Sequence, residues 1–251
     1  MTPLFITEML ERAKEIIDEV SQQTDEIILF HSLTGKDSIV LLDLLYPKFK
    51  RVICVFMYIV KDLEHANQYY MYAKNKYPNI EFIQVPHYAL FHYIKYGYMG
   101  TKTNPKQRLY RLSDIQEKVK EKTGVEWVCC GFKQSDSLNR RLMLRSYTDG
   151  KMAINWKTKK FYPLSTYKNR DMIEYIERNN LKRPESYDNA QSSGQDISSA
   201  EYLLYLQRNY PNDLKKIYMQ FPACRTIIPN FEAKQDEAKR NKDNQAKPNQ
   251  P

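Results

Sequence analysis

The chain has 251 residues, a formal net charge of +9 and 42% hydrophobic residues, enough to build a sizeable core. Its four cysteines form no Cys-x-x-Cys pair, which argues against a disulfide scaffold and predicts a reducing compartment. No apolar run approaches the ~20 residues needed to cross a membrane, and no signal-peptide pattern is present. We therefore expect a soluble, cytoplasmic protein with no membrane partner. The basic charge suits a polyanionic ligand, although general solubility explains it equally well.

Apolar patterns in the first part of the chain predict alternating helices and strands. Helical spacing predicts four helices: 3–22, 38–45, 63–76 and about 112–123. Short apolar runs predict four buried strands: 26–30, 51–57, 80–85 and 127–131. Strands that alternate with helices, and are apolar almost throughout, are typical of a parallel sheet buried on both faces. The predicted fold class is therefore α/β, a twisted Rossmann-like parallel sheet with helices on both faces.

The pattern changes after residue 150. A short hairpin is predicted from 152–156 and 160–162, followed by helices at 169–179 and 198–219. From Phe231 onward the sequence is polar and has no repeating apolar pattern, so we predict a disordered tail. These patterns divide the chain into four segments: an N-terminal helix (1–24), an α/β domain (25–185), a helical C-terminal extension (186–230) and the tail (231–251).

The main functional motif is the loop Ser32–Ser38, between the first strand and its helix. Ligands of parallel α/β sheets gather at the carboxyl ends of strands, and a helix N-terminus offers N–H groups to a phosphate. Gly35 lets the backbone approach such a ligand, Lys36 adds a cation, and the terminal serines add hydroxyl donors. The sequence therefore predicts a phosphate-binding loop.

Two other interpretations of this loop are a Walker A motif and a plain strand-to-helix turn. A Walker A motif is excluded, because Asp37 follows Lys36 where that motif has Ser or Thr, and Phe30 stands at its first glycine. A plain strand-to-helix turn, with Asp37 near the start of the helix, needs no ligand. The spacing alone leaves that second interpretation open.

The loop resembles the pyrophosphate-binding loop of the adenine nucleotide alpha hydrolases. Within that superfamily it is most similar to the phosphoadenosine phosphosulfate (PAPS) reductase family, whose loop has the Gly-Lys-Asp-Ser form of Gly35–Ser38. Leu33-Thr34 stands where the family has a small residue or glycine, which predicts a different shape at the loop tip.

Two further segments resemble the same family. Gly131–Arg140 is similar to its Gly-x-Arg-x-x-Glu-Ser-x-x-Arg segment, with Lys133 in place of Arg and Asp136 in place of Glu. Tyr162–Tyr167, with Asp171 and Tyr175 beyond it, is similar to its Pro-Leu-x-x-Trp turn and the following helix. The matches span residues 25–185, which identifies that segment as an adenine nucleotide alpha hydrolase-like domain.

The resemblance implies a site for ATP or PAPS at the carboxyl edge of the sheet. The adenine would lie near Met57 at the end of the second strand, and Lys133, Arg140 and Arg141 would meet a phosphate or sulfate. A solvated basic helix start is the alternative for those three cations. Catalytic roles are assigned to three residues: Lys36, Asp37 and Arg140. The predicted nucleotide-binding residues are Ser32, Thr34, Gly35, Lys36, Asp37, Ser38, Met57, Gly131, Lys133 and Arg140.

The cysteines and histidines do not predict a metal centre or a redox site. The four histidines lack zinc spacing, so any metal would be Mg²⁺ arriving with the nucleotide, helped by Asp37. Cys129-Cys130 lies in a predicted strand with no later Cys-x-x-Cys, which favours two core cysteines and no iron–sulfur cluster. PAPS reductases carry their thiol in a C-terminal Glu-Cys-Gly-x-His segment. This chain has only Cys224 there, in a context that does not match.

Three functions are compatible with the sequence. The first is a transferase that cleaves ATP between the α and β phosphates and adenylylates an acceptor or supports sulfur transfer. The second is a thioredoxin-dependent phosphoadenylyl-sulfate reductase. The third is a nucleotide-binding or nucleic-acid-associated module without turnover. The sulfurtransferase of DNA phosphorothioation systems is one relative that would combine an enzymatic function with association with a nucleic acid. The sequence does not identify the acceptor, for which a nucleic acid is one candidate class, and a homo-oligomer is compatible with it.

Overall fold

The computed structural model describes residues 10–147, 150–184 and 196–245. The chain forms two compact units. One comprises Met1–Ile59, Ala66–Tyr88 and Leu109–Glu185, and the other comprises Val60–His65, Ala89–Arg108 and Ser186–Pro251. Within the described ranges, no helix is both long and apolar enough to cross a membrane.

A six-stranded sheet, in the order β3-β2-β1-β4-β6-β5, forms the centre of the first unit. The strands are β1 (Glu26–Phe30), β2 (Arg51–Tyr58), β3 (Ile80–Pro86), β4 (Val128–Cys130), β5 (Ile154–Asn155) and β6 (Lys160–Phe161). Neighbouring strands run parallel except at the edge, where β5 is antiparallel to β6. The α/β class, the four apolar strands and the hairpin predicted from the sequence are confirmed.

The central strand β1 explains why the sequence specifies this sheet. Ile27, Ile28 and Leu29 have no exposed surface, so both faces of the strand are covered. Leu29 lies opposite Cys54 of β2 on one side and Cys129 of β4 on the other. Such continuous burial is typical of a parallel strand with helices on both faces.

The helices are α1 (Glu11–Ser21), α2 (Lys36–Leu45), α3 (Glu64–Lys76), α4 (Tyr88–Tyr96), α5 (Leu112–Thr123), α6 (Leu138–Arg145), α7 (Asn169–Arg178), α8 (Ala200–Asn209), α9 (Pro211–Gln220) and α10 (Ile227–Gln245). Short 3-10 helices lie at Tyr98–Gly100 and Pro222–Thr226. The predicted N-terminal helix is present as α1, and the part of that prediction before residue 10 lies outside the described residues.

A largely buried carboxylate connects three segments of the first unit. Asp43 of α2 accepts hydrogen bonds from the hydroxyls of Tyr77 (2.8 Å) and Tyr175 of α7 (2.9 Å). Lys76 Nζ lies 3.3 Å from the same carboxylate. Burial and the neighbouring Asp43 charge raise the pKa of both tyrosines, so their hydroxyls stay protonated and act as donors.

Two predictions for the C-terminal part of the chain are wrong. The single helix predicted at 198–219 is divided into α8 and α9, because Pro211 lacks an N–H group and occupies the first turn of a new helix. The disordered chain predicted from Phe231 is instead helix α10 as far as Gln245. Its Ala, Glu, Lys, Gln and Arg residues favour a helix without requiring an apolar face. Residues 246–251 lie outside the described ranges.

A buried polar network organises the second unit. Asp213 accepts hydrogen bonds from the backbone N–H groups of Glu64 and His65, at the start of α3. Its carboxylate also lies 3.0 Å from His65 Nδ1, and the Tyr202 hydroxyl lies 3.2 Å from His65 Nε2. Burial opposes ionisation of Asp213, but these hydrogen bonds keep its pKa below the usual value. The network therefore caps α3 with a charge from α9.

Candidate functional site

The loop between β1 and α2 lies at the carboxyl edge of the sheet. The backbone N–H of His31 donates to the Val55 carbonyl, which places the start of the loop beside the end of β2. Gly35 is the N-cap of α2, with an extended backbone (φ −84°, ψ 130°) and no capping side chain. Gly35 therefore gives the N–H groups of the first turn of α2 no side-chain cap, and an N-terminus of this kind suits an anion.

Two serines close the loop across its base. Ser38 Oγ lies 3.0 Å from Ser32 Oγ and accepts a 3.0 Å hydrogen bond from the Ser32 backbone N–H. A Cβ atom on Gly35 would overlap the Ser32 hydroxyl oxygen. A larger residue at position 35 would therefore have to displace the Ser32 hydroxyl from its place beside Ser38, which adds a packing reason for glycine to the ligand approach predicted from the sequence.

The loop tip has a left-handed backbone at Leu33, whose φ is 52°. The Thr34 N–H donates to the Ser32 carbonyl (2.6 Å), so the turn around Leu33 is very tight. A left-handed residue other than glycine is disfavoured by roughly 1–2 kcal/mol. The loop thus keeps a shape for which glycine is the low-energy residue, at the position where the family has a small residue or glycine.

A chain of charges connects this loop to the segment after β4. Lys133 has no exposed surface, and its Nζ lies 2.5 Å from Asp37 Oδ2 and 3.1 Å from Asp136 Oδ1. Arg140 Nη1 lies 2.8 Å from the other oxygen of Asp136. Burial opposes ionisation of Asp136, but Lys133 and Arg140 hold its pKa below the usual value. The ammonium of Lys133, which the sequence placed at a phosphate, instead fixes two carboxylates.

Two further contacts support this chain of charges: aromatic packing beside Arg140, and the close approach of Gly131 to Asp37. The guanidinium of Arg140 lies 4.1 Å from the centre of the Phe132 ring, which in turn stacks on Tyr162 at 5.9 Å. A Cβ atom on Gly131 would come within 3.1 Å of Asp37 Cβ, so a glycine lets β4 approach the start of α2 closely. The Phe132 ring and the Asp136 carboxylate thus contact the Arg140 guanidinium from two sides and restrict its orientation.

The remaining predicted site residues have different surroundings. Lys36 Nζ lies 3.8 Å from Asp37 Oδ2, with 19% of the side chain exposed. Thr34 is buried in the loop, and Met57 is half-buried near the carboxyl end of β2. Arg141 donates to the Gln134 carbonyl and so braces the turn before α6. The structure therefore brings together the loop, Gly131, Lys133 and Arg140, and places Met57 on the same edge of the sheet.

Two residues of this region, His31 and Phe132, were not predicted as site residues from the sequence. His31 is buried, and its Nδ1 accepts a hydrogen bond from the Leu33 N–H (2.9 Å). A polar residue directly after a fully apolar strand was a visible signal for His31. Phe132 had no comparable signal, because its role depends on a ring stacked across the sheet edge.

All four cysteines of the chain are buried. Burial raises the pKa of Cys130 to about 12 and that of Cys224 to about 11, and it also raises the pKa of Cys54 and Cys129. The Cys224 thiol donates a hydrogen bond to the Ile197 carbonyl (3.4 Å). The prediction of two core cysteines at 129 and 130 is confirmed. Among the described residues, no group of three or more His, Cys, Asp or Glu side chains is placed to hold a metal ion.

Comparison with known proteins identifies the family. The model of the phosphoadenosine phosphosulfate reductase domain matches residues 27–218, most of the chain. The protein therefore belongs to the PAPS reductase family, as its motifs predicted. The match continues past residue 185 into α8 and α9.

A search of curated proteins gives no match. One similar solved structure is an NH3-dependent NAD synthetase from Campylobacter jejuni in complex with the nitrate ion. It shares 12% sequence identity with this chain at a TM-score of 0.46, covering 89% of this chain and 93% of that chain. That degree of similarity is too low to transfer a function.

Proposed function

We propose that the protein binds ATP with the loop Ser32–Ser38 and cleaves it between the α and β phosphates, transferring the adenylyl group to an acceptor. The observation that carries this proposal is the uncapped N-terminus of α2, with Gly35 at the cap and Lys36 in the first turn. Backbone N–H groups and a lysine arranged in this way stabilise a departing pyrophosphate without reorganising during the reaction.

The two carboxylate oxygens of Asp37 have different surroundings. Its Oδ2 contacts Lys133, whereas its Oδ1 is buried and has no hydrogen-bond partner within the described part of the chain. A buried oxygen of this kind fits Mg²⁺ that arrives with the nucleotide, since Mg²⁺ prefers carboxylate and phosphate oxygens. Lys133 would then hold Asp37 in position through Oδ2.

Arg140 is suited to the α phosphate. Its Nη1 donates to Asp136, and in the described part of the chain its other guanidinium N–H groups make no hydrogen bond, so they can donate to a phosphate oxygen. The Phe132 ring and Asp136 restrict its motion, which lowers the entropy lost on binding. Its expected effect is to stabilise charge that develops during adenylyl transfer.

A second candidate, PAPS reduction, is favoured by the family match itself. Such a reaction needs a thiolate that attacks the sulfur of the nucleotide and is later released by a second thiol. Cys224 is buried, and its raised pKa keeps the thiol protonated at neutral pH. These properties favour adenylyl transfer over reduction.

A paired assay distinguishes the two reactions. We expect no sulfite from PAPS with reduced thioredoxin, and we expect pyrophosphate from ATP and Mg²⁺ once an acceptor is supplied, with DNA, RNA and small thiols as the first panel. Cys224→Ser should leave nucleotide binding and pyrophosphate release unchanged. Sulfite release that disappears in Cys224→Ser would overturn the proposal and identify a reductase.

A further inference from the structure

His31 has an unusual environment for a histidine that no catalytic step uses. It follows β1, is 3% exposed, and is anchored by its own backbone N–H to the Val55 carbonyl of β2 (2.9 Å). Its ring packs edge-on against Phe82 of β3 at 6.0 Å. The imidazole is thus held in place by the sheet, directly before the loop.

The two ring nitrogens of His31 have different surroundings. Nδ1 accepts the hydrogen bond from the Leu33 N–H, so it carries no proton. The proton of the neutral ring is therefore on Nε2, which is buried and has no hydrogen-bond partner among the described residues. Burial lowers the pKa of His31 to about 3, so the ring is neutral at physiological pH. An unpaired buried N–H destabilises the folded protein, and a leucine in this position would avoid that cost.

The hydrogen bond that His31 does make is located at the strained point of the loop. Leu33 has the left-handed backbone (φ 52°), and its N–H is the group that Nδ1 accepts from. The next residues are Thr34, whose N–H closes the tight turn, and Gly35, the N-cap of α2. The histidine thus stabilises a conformation that a non-glycine residue adopts reluctantly.

We propose that His31 is a positioning residue for the phosphate loop, which holds Leu33 in its left-handed conformation through Nδ1 and so keeps the N-terminus of α2 open to phosphate. The proposal rests on the proposed function in one respect, that phosphate binds this loop. It adds that the shape of the loop is set by one neutral imidazole beneath it, in place of the glycine that would adopt this conformation unaided.

The test compares three substitutions at one buried position. His31→Asn places an amide oxygen near the position of Nδ1, His31→Gln places one near the position of Nε2, and His31→Leu removes both. The probes are inorganic pyrophosphate and ATP with Mg²⁺, titrated by calorimetry into the full-length chain, and thermal unfolding is recorded for each variant. The two amides are matched in polarity and differ in where the acceptor lies.

We expect His31→Asn to bind both probes within about threefold of wild type, and His31→Gln and His31→Leu to lose about tenfold or more, the scale of one hydrogen bond. His31→Leu removes the unpaired Nε2–H but also leaves the Leu33 N–H without its acceptor, so its unfolding temperature should stay close to that of wild type. Lower affinity without lower stability separates a positioning role from a structural one.

Three results would overturn the inference. The first is equal affinity of the Gln and Asn variants, and the second is wild-type affinity in His31→Leu. The third is a parallel fall of affinity and unfolding temperature in all three variants, which would make His31 a structural residue. If the wild-type protein binds neither probe, the proposed function fails together with the inference, whereas loss of binding in Lys36→Ala with full binding in His31→Leu refutes the inference alone.

Discussion

Ser32 and Gly35 lie close together in the loop, and the coupling between them can be measured. A methyl group on Gly35 would overlap the Ser32 hydroxyl, but it would lie 3.4 Å from Ser32 Cβ, an ordinary contact. The backbone of Gly35 is in the extended region, so an alanine adds no dihedral strain there. Gly35→Ala should therefore lower stability by about 1–3 kcal/mol through overpacking alone.

Removing the Ser32 hydroxyl should relieve most of that loss. We expect the double variant Ser32→Ala, Gly35→Ala to unfold within a few degrees of Ser32→Ala, in a thermal double-mutant cycle. Its affinity for ATP should still be reduced, because the hydroxyl donor is gone. Strictly additive losses of stability would show that the space above Gly35 is limited by something other than Ser32.

At the residue scale, the sequence predicted which side chains meet but not how they meet. Lys133, Asp37 and Arg140 were all selected from motifs, and the structure joins them into one network with Asp136. The full burial of Lys133 could not be foreseen, because burial of a lysine depends on two carboxylates contributed by separate segments. His31 could have been selected as a polar residue directly after an apolar strand, but its hydrogen bond to the Leu33 N–H could not be predicted.

Helix α7 is tied to α2 by a hydrogen bond that can be removed without changing the shape of the core. Tyr175→Phe deletes the hydroxyl that donates to Asp43. We expect a loss of about 1–2 kcal/mol in the free energy of unfolding, since the acceptor is a charged, largely buried carboxylate that keeps two other partners. Tyr96→Phe, at a tyrosine that is 67% exposed, is the matched control and should have no effect. Equal unfolding midpoints for the two variants in urea would argue against this tie.

Helix α10 continues well beyond the residues that pack. The side chains from Glu232 to Asn241 are exposed, whereas Ile228 in its first turn is 6% exposed. Deleting residues 232–251 should therefore leave the unfolding temperature within about 1 °C of the full chain, because the side chains from 232 to 241 bury no apolar surface. A deletion from residue 227 removes Ile228 as well and should lower it by several degrees. A large drop in the shorter deletion would show that this segment docks.

At the element scale, the sequence predicted elements whose apolar residues pack against the sheet. The strands β1, β2 and β3 were located almost to the residue, because all are flanked by polar turns. Pro211 was overlooked inside a long helical pattern, although its missing N–H marks a helix start. Helix α10 has little apolar surface, so hydropathy gave no signal for it, and only intrinsic helix propensity could have predicted it.

At the scale of the whole molecule, the alternation of strands and helices was sufficient to predict the α/β class, and three short motifs in the right order were sufficient to predict the family. The division of the chain into two compact units was not predictable in the same way. The second unit takes Val60–His65 and Ala89–Arg108 from within the α/β pattern and joins them to the C-terminal helices. In its polar core, His65 contacts Tyr202 and Asp213, which lie 137 and 148 positions further along the chain.

The central claim is that this protein holds an adenine nucleotide by its phosphates at the start of α2. It is tested most directly by calorimetric titration of ATP, with and without Mg²⁺, into the wild type and Lys36→Ala, with Lys157→Ala as an exposed-lysine control. We predict that wild type and control bind ATP equally, that Lys36→Ala binds it weaker by about 1–3 kcal/mol, and that all three unfold at the same temperature. Equal binding by wild type and Lys36→Ala, or no binding by the wild type, would contradict the claim.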